Sequence, residues 1–333
     1  MRLRSATLHS AVTLLALGAT AAAASTGVYP GDGAPSGTAR TTHAVSPARN
    51  GSSAVRVSAS RIVFPVVGRV QYTNDFGAPR PQGSHEGNDI MAPRRALAVA
   101  AEPGRIKFWT HSACAGCMLY LSGKSGTTYL YIHLNNDLTK HNDNRGKCKP
   151  GISYAPGLKN GQKVAAGQLV GFVGDSGDAN GVATHLHFEV HPHGGRAVSP
   201  YKHLNRAYRP LFAVASGSKF TVSLAGKVVS TTPVDEAHVL LRMNVKSLRA
   251  WPGGYRVPHV NRTLAVDVQS TDSIEQLGSG PSPAAASVSL QRLLAARKNR
   301  KLTVRTAPAR RQLSVQLGRA AFDAAAVVLK PRS

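Results

Sequence analysis

HLHFEVH, residues 185–191, is the stretch on which the reading of this chain turns. In extended backbone successive side chains point to opposite faces. His185, His187, Glu189 and His191 therefore share one side, and Leu186, Phe188 and Val190 the other. The apolar side needs a core to pack on, and the other side concentrates ionisable groups. Alternation alone describes any half-buried strand, so the function of these histidines has to be argued from the segments around them.

Upstream, HEGNDIMAP (residues 85–93) places His85 and Asp89 on either side of a turn-forming Gly-Asn pair, with His85 in a loop and Asp89 at the start of a strand. A lone HxxxD is common in solvated loops. Joined to an HxH strand, it offers two imidazole nitrogens and one carboxylate oxygen. That ligand set suits zinc, and three protein ligands leave a fourth position open for water. Between the two elements, TTYLYIHLNND (residues 127–137) is a second alternating strand. If Tyr129, Tyr131 and His133 share a face, His133 looks into the same cleft, where a group titrating near neutral pH could move a proton.

Taken together these segments resemble the lysostaphin-like, or LytM-type, zinc metallopeptidases that cut peptide links in bacterial peptidoglycan. The resemblance runs in order through FGAPR (76–80), HEGNDIMAP, GRI (104–106), YLYIHL (129–134), GQKVAAGQLVGFVGDSG (161–177) and THLHFEVH (184–191). It implies one zinc ion held by His85, Asp89 and His187. It assigns His133 and His185 to the pair that activates water and stabilises charge on the attacked carbonyl. It also implies an all-β fold, an antiparallel β-sheet core of barrel-sandwich-hybrid type with its cleft across the sheet. GQKVAAGQLVGFVG is similar to the turn-rich hairpin of lipoyl-type folds, but no lysine stands at a hairpin tip for cofactor attachment.

Other residues near these motifs carry weaker signals. Glu189 reads equally as a carboxylate orienting a ligand imidazole or as a solvated strand residue. His191 and His193 repeat the HxH spelling within HPHGG, where Pro192 and two glycines predict a turn, and both are left out of the site. His111 and His141 read as solvated loop residues. NNDLTKHNDNRGKCKPGISYAPGLKN (135–160) lengthens the connection after His133 and bears on substrate choice.

The rest of the chain supplies context. Among 333 residues, Lys+Arg number 41 against 16 Asp+Glu, a formal charge of +25. Such a surface favours polyanions. MRLRSATLHS followed by AVTLLALGATAAAA has the layout of a secretory signal peptide over residues 1–24. The apolar run is too short for a convincing membrane span, so no stable span is expected after cleavage. Residues 25–60 are rich in Gly, Ser, Pro, Thr and Ala and read as a flexible linker. Residues 61–210 hold the peptidase-like motifs. Residues 211–333 form a basic region expected to be β-rich, with FTVSLAGKVVS, HVLLRMNVKSL, RTLAVDVQ, KLTVRTA and RQLSVQLG read as strands and SIEQLGSGPSPAAAS as a loop. SLQRLLAARKNRK (289–301) reads as a short helix or an exposed basic segment.

Three cysteines in an exported chain predict one disulfide and one free thiol. Cys114, Cys117 and Cys148 do not reveal their pairing; a bridge from Cys148 to either of the others would fasten the 135–160 insertion. The functional expectation is a secreted zinc metalloendopeptidase with peptidoglycan as partner and anionic wall polymers as a further one. The rivals are a catalytically silent wall-binding or hydrolase-activating module and an exported nucleic-acid binder. The first is disfavoured because all five site residues are present. The second lacks a recognition motif or a stacking platform, since aromatic residues are 6% of the chain.

Overall fold

The structure is a computed structural model that describes residues 61–81, 83–215, 219–279, 284–310 and 313–331. The expected signal peptide and linker lie outside these residues. No helix among the described residues is long and apolar enough to cross a membrane.

The chain is a β protein. Its first strands are β1 (Pro79–Arg80), β2 (Gly83–Ser84), β3 (Asn88–Met91), β4 (Leu97–Val99), β5 (Gly104–Ser112), β6 (Gly116–Gly123), β7 (Thr128–Leu134), β8 (Lys163–Val164), β9 (Leu169–Phe172) and β10 (His185–His191), followed by helix α1 (Tyr201–Arg206). Six of them form an antiparallel sheet in the order β3-β10-β7-β6-β5-β8. β8 pairs with β5 and β9 with β4, so GQKVAAGQLVGFVG is divided between two sheets and does not close on itself as a hairpin.

The two faces of β10 separate as the alternation requires. Leu186, Phe188 and Val190 are at most 1% exposed, and Phe188 packs against the rings of Tyr129 and Tyr131. The opposite face carries His187 directly across from Asp89 on β3 and Ile132 on β7. Tyr131 is fully buried; its hydroxyl donates to Val99 O at 2.9 Å and accepts from Ala101 N at 2.8 Å. That pair ties the large sheet to the strand β4 lying beneath it.

Tyr131 opposes Phe188, so Tyr129 and Tyr131 face the core, on the side away from His187. The expectation that they share a face with His133 is therefore corrected. Between Tyr131 and Leu134, β7 carries one residue more than β6 opposes, and His133 sits in this bulge at φ 59°. A bulge with a left-handed residue re-aims a side chain, and here it turns His133 from the core face to the site face.

The 135–160 insertion is fastened at several points. Cys117 and Cys148 form the disulfide, leaving Cys114 free and exposed. Buried Asp137 is ion-paired with Arg94 and accepts from Asp143 N and Asn144 N, while Arg94 is bidentate to buried Asp175 at 2.7 and 2.8 Å. Asn142 and Asn144 both donate to Asn180, in the loop leading to His185.

The remaining strands are β11 (Thr221–Pro233), β12 (His238–Trp251), β13 (Tyr255–Val257), β14 (Arg262–Gln269), β15 (Ser273–Leu277), β16 (Ala285–Ser287), β17 (Lys301–Thr306) and β18 (Phe322–Leu329), with helices α2 (Leu290–Leu294) and α3 (Leu313–Gln316). They build an eight-stranded sheet, mostly antiparallel, in which β18 runs parallel to β14 and β15. Two expectations change here. SIEQL forms β15, because Ile274 is buried and the segment pairs with β18. LSVQ within RQLSVQLG is a helical turn, because buried Gln316 reaches two backbone carbonyls, Gly167 O and Phe212 O, each at 2.8 Å. Those bonds also join this sheet to the first region, and the buried side chains of both form a continuous core.

Replacing Tyr131 by Phe leaves Val99 O and Ala101 N without a partner in a dry core. Unfolding in denaturant should show a loss of about 1–3 kcal/mol; an unchanged midpoint would show that this link does not hold the sheet to β4.

Candidate metal centre

Three elements bring the candidate ligands together. The loop before β3 carries His85, β3 carries Asp89 and the middle of β10 carries His187. His85 Nε2 lies 2.9 Å from His187 Nδ1 and 3.1 Å from Asp89 Oδ1, and His187 Nδ1 lies 3.2 Å from the same oxygen. Among the described residues, these three are the group of His, Cys, Asp or Glu side chains whose ligand atoms converge in this way. A tetrahedral zinc site with ligands at about 2.0–2.1 Å has edges of about 3.3 Å between ligand atoms, and the observed triangle is close to one face of it.

Hydrogen bonding settles which nitrogen of each ring is available. His85 Nδ1 lies 2.9 Å from Asp75 O. A backbone carbonyl only accepts, so Nδ1 carries the proton and Nε2 presents a lone pair to the triangle. His187 is the mirror case, with Nε2 donating to Glu189 Oε1 at 2.9 Å and Nδ1 turned inward. Two nitrogens and a carboxylate oxygen this close repel unless positive charge lies among them, either a metal ion or, without one, protons shared with Asp89. The residues therefore fit a divalent metal in both donor chemistry and spacing.

The surroundings hold this arrangement. Asn88 Nδ2 donates to Thr73 O at 2.7 Å and fixes the loop that presents Asp75. Arg80 donates to the outer oxygen of Asp89, Oδ2, at 2.6 Å. Gly87 leaves room for His187: a Cβ there would lie 2.7 Å from His187 Nε2 and from Phe188 O.

His133 and His185 stand beside the triangle, both nearly buried, their ring centroids 5.1 Å apart. Each donates its Nδ1 proton to a backbone carbonyl, His133 to Ser176 O at 2.8 Å and His185 to Ala183 O at 2.9 Å. Among the described residues neither Nε2 atom is hydrogen-bonded; that of His185 is 3.6 Å from Asp89 Oδ1 and that of His133 is 3.7 Å from Asp178 Oδ1. Ser176 itself is clamped, accepting from Cys117 N and donating to Leu134 O.

The electrostatics follow from burial and these bonds. Burial alone would raise Asp89, but bonds from His187 and His85 outweigh it and hold the carboxyl well below the usual carboxylate range. Burial would lower His187, yet Asp89 and Glu189 raise it to about 9. Burial, assisted by nearby His185, lowers His133 to about 4. Glu189, despite burial, is held at about 2 by His187 and His191.

All five sequence-predicted site residues are thus brought to one place. Glu189 proves to be a partner of His187. His191, left out as part of a turn, is the last residue of β10; its Nε2 donates to Glu189 Oε2 at 2.6 Å and its Nδ1 to Gly195 O at 2.8 Å, which raises its pKa. The signal for both was the period-two run His187, Glu189, His191. Arg80 and Asp75 had no comparable signal. His193 lies in the following turn and His141 is exposed on the insertion, and neither joins the site; His111 falls within β5 and not in a loop.

Residues 152–200 match the model of peptidase family M23. That segment contains β8 to β10 and with them His185, His187 and Glu189; His85, Asp89 and His133 precede it. The chain is 27% identical over 154 residues to the L-Ala-D-Glu endopeptidase of Bacillus subtilis (strain 168), covering 42% of each protein. It therefore spans about two-fifths of the length of that curated relative. Among solved structures it is similar to the catalytic domain of the antimicrobial peptidase lysostaphin from Staphylococcus simulans (23% identity, 41% of this chain and 92% of that one, TM-score 0.31). It is also similar to a zinc containing peptidase from Vibrio cholerae (22% identity, 43% and 39%, TM-score 0.30).

In the metal-free chain, imidazole titration by NMR should place His187 near 9 and His133 near 4. Glu189→Gln should lower the His187 midpoint. The signs for stability are opposite: from the ordinary value of 6.5, the raised His187 stabilises below pH 6.5 and loses this as pH rises through about 9, whereas the lowered His133 stabilises above 6.5 and loses it as pH falls through about 4. An unshifted His187 midpoint in Glu189→Gln would refute the role given to Glu189.

Proposed function

We propose that the chain is an exported zinc metalloendopeptidase that hydrolyses peptide bonds in peptidoglycan stem peptides or cross-bridges. The observation that carries this reading is the convergence of His85 Nε2, Asp89 Oδ1 and His187 Nδ1 beside the Nε2 atoms of His133 and His185, whose Nδ1 protons are committed elsewhere. A silent wall-binding module has no need of such a set. In this reading residues 61–210 are the peptidase domain, preceded by a signal peptide over 1–24 and a linker over 25–60. The 135–160 insertion, bonded to the loop before His185, shapes the substrate cleft.

His85, Asp89 and His187 hold the zinc, which supplies Lewis acidity to a carbonyl oxygen and lowers the pKa of water. Glu189 and Asp75 O keep the two ligand imidazoles in the tautomers that face the ion. His133 and His185 move protons at Nε2. As neutral imidazole, one accepts a proton from the attacking water; as imidazolium, it returns that proton to the nitrogen released when the peptide C–N bond breaks. The second ring, when it is imidazolium and carries a proton at Nε2 as well as Nδ1, donates that Nε2 proton to the oxygen on which negative charge develops. Because both Nδ1–H groups are committed to backbone carbonyls, neither ring can rotate without breaking a buried bond.

Cross-linked peptidoglycan fragments incubated with the chain should yield new amine and carboxyl termini by mass spectrometry, and chelation should abolish them. His185→Ala and His133→Ala should each lower kcat by about 10²–10⁴ with zinc content unchanged, whereas Asp89→Ala should lose the metal. Failure to cleave with zinc bound would favour the non-catalytic module.

A further inference from the structure

The second sheet holds a cavity of about 310 Å³, remote in sequence from the metal centre, and its lining includes Gln276, Arg292, Arg297, Lys298, Arg300 and Lys301. Among the described residues, no acidic and no aromatic one lines it. Four of the cations come from one five-residue turn, Arg297 to Lys301, between α2 and β17. The turn is closed by Arg300 N donating to Arg297 O, with Asn299 in the left-handed region at φ 70°.

This turn is built into the sheet. Asn299 N donates to Val228 O at 2.8 Å and Val228 N donates to Arg300 O at 2.9 Å, so both sides of it are tied to β11. The helix leading into it is held by Leu293, fully buried, and by Thr231 Oγ1 donating to Leu294 O. Among the described residues Arg292, Arg297, Lys298 and Lys301 make no ion pair. Glu275, the acid in the adjoining β15, is engaged by Ser273. A fixed backbone that crowds like charges around a concave surface is pre-organised for an anion, because little ordering remains to be done on binding.

We infer that this cavity binds a polyol-phosphate polymer, a phosphodiester chain without bases, and so holds the peptidase on a phosphate-bearing wall. Phosphodiesters match guanidinium and ammonium groups that no carboxylate of the lining neutralises; Arg292 Nε donates to Gln276 Oε1 at 3.2 Å, which holds that guanidinium in place. The lack of an aromatic platform disfavours single-stranded nucleic acid, whose bases seek stacking partners. Placement on a wall rests on the function proposed above; the binding chemistry does not.

The test measures binding of the full chain to a glycerol-phosphate polymer by titration calorimetry at salt concentrations from roughly 50 to 200 mM. Arg297→Ser with Lys298→Ser should weaken binding at least about tenfold and reduce the slope of log K against log salt by about one to two. Arg242→Ser with Arg249→Ser, which removes the same charge from exposed positions on β12, should change it less than about twofold if non-specific attraction is small. Equal losses in both double variants would overturn the site in favour of general charge, as would no binding by the unmodified chain. Tighter binding of single-stranded DNA at equal phosphate concentration would overturn the polymer assignment. Cleavage of soluble, phosphate-free peptidoglycan fragments, assayed in parallel, should be unchanged in Arg297→Ser with Lys298→Ser. Failure of that cleavage in the unmodified chain would count against the peptidase reading and leave the polymer result to be judged separately.

Discussion

Every function the centre can perform depends on where each imidazole keeps its proton. His85, His133 and His185 each give Nδ1–H to a backbone carbonyl, and His187 gives Nε2–H to Glu189. The acceptors leave no choice, because a carbonyl has no proton to offer and a carboxylate held at about 2 has lost its own. With a metal bound, four lone pairs are thereby pointed inward: two close with Asp89 as a candidate ligand triangle, and two remain beside it. Losing any one acceptor would free a ring to change tautomer and direction.

The sheet supplies the rest of that order. Cross-strand pairing sets His187 opposite Asp89, so two candidate ligands owe their approach to ladder register. A slip of one residue would send His187 into the core and Phe188 out of it. The apolar face of β10, packed on Tyr129 and Tyr131, is what makes such a slip costly. His133 departs from the same pattern through its bulge, and Ser176 secures the departure by accepting its Nδ1 proton while bonding β6 and β7. The Cys117–Cys148 disulfide joins this point to the insertion, so the segment flanking the cleft and the ring beside the triangle share one support.

Much of this was legible as pattern. The alternation in HLHFEVH predicts a two-faced strand, and the resemblance carried by HEGND and HLH implies the candidate ligands His85, Asp89 and His187, whose ligand atoms the structure brings together. Glu189 was left open because period two places it on the right face without saying whether water or an imidazole would meet it. His191 falls on the expected face of the strand, but the turn that follows it gives no sign that its ring reaches Glu189. Arg80 and Asp75 were silent: one acts through a side chain reaching across a hairpin and the other through a backbone carbonyl, which leaves no mark in residue type.

The sequence by itself determined the β class, the two faces of β10, the kinds of side chain that can gather at the centre and the basic character of the C-terminal region. All of these depend on side-chain chemistry and short spacing, which are local. Tertiary structure alone decided that Tyr131 faces the core while His133 does not, that Cys117 rather than Cys114 pairs with Cys148, and that LSVQ turns as a helix around Gln316. It also decided that four cations of one turn meet Arg292 around a cavity. Each of these is a matter of partners far apart along the chain, and a single strand of letters specifies the groups that can bond without specifying which of them will meet.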